Sequence, residues 1–204
     1  MHPNRLHSGN FESFVQQTEP NAGFAKAMPL FAGQFVIVTD EGDLSFAATE
    51  TGTNDLYAFR WNNTGTTDDI LVLSGAVPMD YDPLVDKLQF LYRVRKLDTT
   101  GLATDNTDLA ITHSMIVLDS DDTAPRSVTI SNHTLAAKAT DDDLDAFELV
   151  TIDLSGNGLH PGDPFSLALS VNEAVGTALR VDMLGHEFRY MANASLNDRS
   201  LRHW

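Results

Sequence analysis

Between Phe147 and Val171 the chain reads FELVTIDLSGNGLHPGDPFSLALSV, and its apolar residues recur at every second position. Phe165, Leu167, Leu169 and Val171 alternate with Ser166, Ala168 and Ser170, the period-two signature of a strand with one buried face. Val150, Ile152 and Leu154 alternate with Thr151 and Asp153, and the β-branched members suit a pleated surface. The intervening SGNGLHPGD concentrates Gly156, Gly158, Pro161 and Gly162, the residues that turns require. It is longer than a two-residue hairpin loop, so it predicts either a long hairpin or a crossing from one sheet to another.

The same rhythm recurs along the chain. QFVIVT (Gln34–Thr39) is a short continuous apolar run that reads as a strand buried on both faces. LSFAA (Leu44–Ala48), the aromatic-rich LYAFRW (Leu56–Trp61) and ILVLSG (Ile70–Gly75) add three more strands. AVPMDYDPLVDK (Ala76–Lys87) breaks the pattern with Pro78 and Pro83 and predicts a loop across the end of the domain. In KLQFLYRVRKL, Leu88, Phe90, Tyr92 and Val94 take one face and Gln89, Leu91, Arg93 and Arg95 the other, with Arg93, Arg95 and Lys96 read as outward positive charge. LAITHSMIVLD (Leu109–Asp119) is apolar on both faces and predicts a strand central in its sheet. RSVTIS (Arg126–Ser131) is a further strand, and Leu135–Ala139 suits a helical turn within a longer connection. ALRVDMLG and EFRYMA read as two final strands with His186 in the turn between them.

About ten strands separated by turn signals, without an amphipathic helix, predict an all-β fold: an antiparallel two-sheet sandwich, with a jelly roll favoured by the strand count. The expected organisation is an N-terminal arm over residues 1–30, the sandwich over 31–192 and a C-terminal tail over 193–204. The arm scatters Phe11, Phe14 and Phe24 among breakers. The tail carries Arg199 and Arg202 and ends on Trp204. Apolar and Arg/Trp side chains of this kind want a partner surface, which makes these six residues the candidate contacts.

Composition narrows the functions. A formal net charge of −16 over 204 residues repels a phosphate backbone, so nucleic acid is not an expected partner. No apolar run long enough to span a bilayer occurs, and the N-terminus lacks the order of a signal peptide, so the chain is expected to be soluble and unprocessed, with no membrane partner. The absence of cysteine removes disulfides, thiolate nucleophiles and cysteine metal sites.

Reactive constellations are scarce. The histidines His2, His7, His113, His133, His160, His186 and His203 lack ligand spacing, so zinc is not expected, and His113 reads as a packed strand residue. The acid clusters at Asp80–Asp86, Asp119–Asp122 and Asp141–Asp145 invite a calcium reading, but Ala146 and Ile152 stand where a calcium loop from Asp141 needs Gly and Glu. No nucleophile elbow or phosphate-binding glycine motif is present. The expectation is a protein without enzymatic activity or cofactor.

Two stretches, DYDPLVDKLQFLYRV (Asp80–Val94) and IDLSGNGLHPGD (Ile152–Asp163), resemble segments of tailed-phage virion structural proteins, especially jelly-roll proteins of the head exterior. The resemblance implies a capsid decoration or minor head protein on the virion exterior, soluble before assembly. It further implies the major capsid protein or other virion proteins as partners, and a homo-oligomer, with a trimer favoured. The arm and tail would hold it there through Phe11, Phe14, Phe24, Arg199, Arg202 and Trp204. The competing reading is a carbohydrate-binding sandwich that uses Trp61, Tyr57 or Tyr81 as stacking platforms, with calcium as a candidate ion.

Overall fold

The computed structural model describes residues 24–38, 44–48, 56–62, 69–98, 108–119, 123–136, 147–172 and 179–193. Phe11, Phe14, Arg199, Arg202 and Trp204 lie outside them, as does the helical turn expected at Phe11–Gln17.

Two antiparallel sheets pack face to face. The first is built from β1 (Phe24–Pro29), β3 (Leu44–Ala48), β4 (Tyr57–Asn62), β6 (Leu88–Asp98), β10 (Glu148–Asp153) and β12 (Leu179–Ala192). Its strand order is β10-β6-β12-β4-β3, and β1 also pairs with β12. The second contains β2 (Phe35–Val38), β5 (Ile70–Ala76), β7 (Leu109–Val117), β8 (Arg126–Val128), β9 (His133–Leu135) and β11 (Pro164–Asn172). Its order is β2-β5-β11-β7-β8, with β9 also on β7. From β4 onward the chain changes sheet at every link except those joining β7, β8 and β9. With β8 and β9 sharing one edge, this is the double Greek key of a jelly roll, extended at its edges by β1, β2 and β3.

The alternation seen in the sequence is the alternation of the structure. Phe165, Leu167, Leu169 and Val171 face the core, as do Leu88, Phe90, Tyr92 and Val94 from the opposite sheet. Each such side chain contributes roughly 1.5–3 kcal/mol by leaving water. The glycine-rich stretch after β10 is a crossing between the sheets rather than a hairpin, and Gly156, Gly158 and Gly162 hold φ of +75°, +61° and +87° there. Strand β7 is central, paired with β11 on one side and with β8 and β9 on the other. His113 is buried within it, its Nδ1–H donating to the Ser131 carbonyl at 2.7 Å and its Nε2 accepting from the Tyr92 hydroxyl at 2.8 Å.

Several expectations need correction. β2 is an edge strand with Val36 and Val38 more than half exposed, so it is not buried on both faces. Leu135 ends a short strand on β7 rather than entering a helical turn; residues 137–139 are outside the described set. The two C-terminal strands are one, β12, and His186 occupies a bulge within it instead of a turn. The register on β6 shifts between Leu184 and Glu187, and Gly185 takes φ +68°, so the extra residue turns the imidazole inward. His186 then sits among Phe35, Phe59, Phe90 and Tyr92. Burial pushes its pKa down to about 4, and its Nε2 has no hydrogen-bond partner.

The segment read as an arm ends in structure: β1 pairs with β12 from Phe24 opposite Ala192 to Pro29 opposite Glu187. Lys26 there pairs with Asp80, whose carboxyl also accepts from the Tyr190 hydroxyl at 2.9 Å. Among the described residues, no helix is long and apolar enough to cross a membrane.

Candidate functional site

The two sheets offer two outward faces and a set of edges, and the chemistry-bearing residues divide among them unevenly. On the outward face of the β6/β12 sheet, pairing sets Arg95 opposite Asp182 and Asp182 opposite Arg60. The Asp182 carboxylate is fully buried. It accepts from Arg60 Nε at 2.8 Å and from Arg95 at 3.2 Å, with Arg180 at 3.5 Å. The Phe147 ring lies against the Arg95 guanidinium, 4.7 Å from centroid to carbon. Arg60 also donates to the Ala48 carbonyl at 2.6 Å, which ties three strands together. The charges of this seam pair with one another across the strands, and it is best understood as structure.

Lys96, expected outside, faces the core and is 1% exposed. Its ammonium reaches the Leu135 and Ala136 carbonyls at 3.4 and 3.0 Å, so it bridges the sheets instead of presenting charge to solvent. Of the outward cations expected on β6, Arg93 alone is exposed.

The acids of the Asp80–Asp86 loop are also engaged. Asp82 caps the turn by accepting from the Leu84 N–H at 3.0 Å. Asp86 accepts from the Tyr81 hydroxyl at 2.6 Å and, through its other oxygen, from the Gly156 N–H at 2.6 Å. This pins the loop to the crossing after β10. Desolvation, followed by the Asp86 hydrogen bond, pushes the Tyr81 phenol far above its usual range. The cluster Asp141–Asp145 lies outside the described residues.

The three aromatic platforms expected from sequence separate clearly. Trp61 is buried with its indole N–H on the Asp69 carbonyl at 3.0 Å, and Tyr81 is wholly buried; neither can meet a ligand. Tyr57 is 63% exposed. Beside it on β3 stands Phe46, 47% exposed, which sequence reading passed over. Their ring centroids lie 5.5 Å apart with planes 26° from parallel, and Phe46 is braced from below by Phe59 at 5.1 Å. Both residues have the parity of Trp61 and Phe59, whose Cα partners are Leu44 and Phe46. They continue that inward-facing row at the sheet edge, where Phe46 stays about half exposed and Tyr57 more. The signal available in sequence was that parity: Phe46 and Tyr57 continue a buried row beyond its buried part.

The fold and this rim define an all-β jelly-roll sandwich with an exposed aromatic pair on one edge. No protein-family model matches the sequence, and no curated protein matches it either. Among solved structures, the chain is similar to the CBM22-1–GH10 modules of xylanase 10B from Clostridium thermocellum in complex with xylohexaose. That match has a TM-score of 0.49 at 10% identity, over 83% of this chain but 29% of that one, so this chain spans under a third of that structure's length. It is similar to a CBM4 module, TM-score 0.45 at 12% identity over 76% of this chain and 94% of that one. It is also similar to the K3 adhesin domain of Lys-gingipain from Porphyromonas gingivalis, TM-score 0.46 at 11% identity over 82% of this chain and 96% of that one.

These findings correct the virion reading. The structures similar to this chain include carbohydrate-binding modules of families 22, 4, 29 and 15, and none of these is a phage head protein. The decoration-protein identity and the major capsid protein as partner are withdrawn with it. The two stretches that carried the resemblance are a capped loop running into β6 and the end of β10 with the sheet crossing after it, features that a sandwich needs for backbone reasons whatever it binds.

Proposed function

We propose that this chain is a carbohydrate-binding β-sandwich module rather than an enzyme, and that Tyr57 and Phe46 form its stacking platform. The observation that carries the reading is the pair itself: two large rings, near-parallel and about half exposed or more, on rigid strands. Exposed aromatic surface of this kind is costly to leave in water and marks contact sites. A pyranose ring presents C–H groups on its faces and hydroxyls on its edges, so it meets an aromatic face apolar-to-apolar while keeping its hydroxyls wet. Tyr adds a hydroxyl at the ring margin for a polar contact. Because β3 and β4 are held in register by the ladder and by Phe59 below, the platform is set before ligand arrives, and little ordering cost opposes binding.

The non-catalytic part of the reading is supported by how the carboxylates of the Asp80–Asp86 loop and of the β6/β12 seam are used. Asp80, Asp82, Asp86 and Asp182 are each held by protein donors.

The test is native electrophoresis of the full chain through gels containing soluble xylan or a soluble cellulose derivative. Retardation by at least one polysaccharide, lost in Tyr57→Ala and Phe46→Ala with the circular dichroism of the fold unchanged, is the expected result. Migration unaffected by either polysaccharide, or retardation equal in wild type and both variants, would overturn the assignment.

A further inference from the structure

We infer that the crossing between β10 and β11, together with the end of β7, forms a binding site for a divalent transition cation of zinc type, ligated by Asp119, His160 and Asp163. The inference is independent of the carbohydrate reading and concerns another part of the surface.

The geometry is set by backbone. The turn His160–Asp163 is closed by the Asp163 N–H on the His160 carbonyl at 3.1 Å. It is clamped to the loop after β5 on both sides: Val77 N–H donates to the Asp163 carbonyl and Gly162 N–H to the Val77 carbonyl, each at 2.9 Å. Gly162 takes φ +87°, and a Cβ there would come 3.0 Å from Met79 Sδ, so glycine is required for the turn to close. Leu118 N–H donates to the Pro164 carbonyl at 3.0 Å, which brings the next residue, Asp119, alongside.

Three ligand atoms therefore converge from rigid segments. The Asp119, His160 and Asp163 donors all lie within 4.8 Å of one another. His160 Nδ1 is 3.4 Å from Asp119 Oδ2 and 3.7 Å from Asp163 Oδ2. Both separations exceed a good N–H···O bond, yet they match within a few tenths of an ångström the edge of about 3.3 Å that a tetrahedral ion with bonds of about 2.0–2.1 Å demands. Three donor atoms of ligating type are thus held at separations that a single ion could span.

The Asp163 side chain is 2% exposed and already oriented, since its Oδ2 accepts the His160 N–H at 2.7 Å. A carboxylate oxygen has a second lone pair to offer a cation. Two carboxylates and a neutral imidazole place two negative charges around a doubly positive ion. A nitrogen donor argues for a borderline ion such as zinc over calcium, which takes oxygen. His160 is about half exposed, so the fourth position opens to solvent and the ion can enter.

The experiment is isothermal titration of the full chain with zinc chloride at pH 7.5, accompanied by thermal unfolding with and without zinc and with calcium as a comparison. Wild type should bind zinc and melt higher with it, while calcium gives no such shift. His160→Ala and Asp119→Asn should each weaken zinc binding by at least about tenfold and lose the thermal shift. His133→Ala, which removes the imidazole paired with Glu148 at 3.3 Å elsewhere, should keep both. Absence of a zinc response in wild type, or a response retained in both His160→Ala and Asp119→Asn, would overturn the inference.

Discussion

The outward faces of the two sheets are built on opposite plans. On the β6/β12 sheet, Arg60, Arg95 and Arg180 surround the buried Asp182 carboxylate. On the β5/β11 sheet, a row across four strands reads Val36, Val72, Ala168, Ser114, and the row beside it Val38, Ile70, Ser170, Thr112. Neither row carries a charge. The first face fixes register by charge pairing, because a slip of one residue would turn Arg95 or Asp182 toward the core. The second relies on the ladder and on the apolar row behind it, so its outward residues are free to be small. One sheet is thus intolerant of single changes on its outside and the other tolerant, although they share a core.

The sharpest way to break this contrast is Asp182→Ala, which strands the buried Arg95 guanidinium beside the part-buried Arg60 and should cost about 3–5 kcal/mol in urea unfolding. Replacing the set together, Arg60→Met, Arg95→Met and Asp182→Leu, should recover most of that loss, since apolar residues of similar volume need no partners. A triple variant as unstable as the single one would show that the seam supplies more than charge balance.

Next in size is a pH effect on the same sheet's inner side. His186 is kept neutral by burial, with a folded pKa of about 4 against an ordinary 6.5. Between these values the unfolded chain binds the extra proton, so stability is full above pH 6.5 and falls as pH drops toward 4, by up to about 3 kcal/mol. In His186→Leu the loss over that window should shrink by this amount, measured as the midpoint of urea unfolding at each pH. Asp80, whose pKa is lowered although desolvation opposes it, because Lys26 and Tyr190 bond its carboxylate, and Asp153, lowered by Ser155, add their own losses in more acid solution.

Smaller effects are expected where side chains face water. Tyr57→Ala and Phe46→Ala should change stability by about 1 kcal/mol or less while removing polysaccharide retardation, which separates binding from folding. On the uncharged face, Ser114→Glu should fall within about 0.5 kcal/mol by thermal unfolding. A large loss there would mean that this face is covered.

The strands were legible because the core demands period two: Phe90, Tyr92 and Val94 announced both their element and their face. Lys96 was misplaced because its charge was weighed above its parity, yet the same alternation that buries Val94 buries Lys96, and two carbonyls satisfy its ammonium. His186 was read as a turn since Gly185 and a polar residue usually mark one; a bulge uses the same left-handed glycine without reversing the chain. Tyr57, Trp61 and Tyr81 could not be ranked from sequence, because exposure depends on where the opposite sheet ends. Asp119 lies far along the chain from His160 and Asp163, and only the pairing of β7 with β11 brings them together. The virion resemblance misled because turn chemistry such as SGNGLHPGD is dictated by positive φ and recurs wherever sheets are crossed.

Strand β12 pairs with β1, β4 and β6, and it follows all three in the chain. During synthesis the first of these sheet strands must therefore wait, unpaired on this side, until the last has left the ribosome. Such remote partners slow folding and leave strand edges open meanwhile. A nascent chain stalled before Leu179 should accordingly need chaperone protection that the released chain does not.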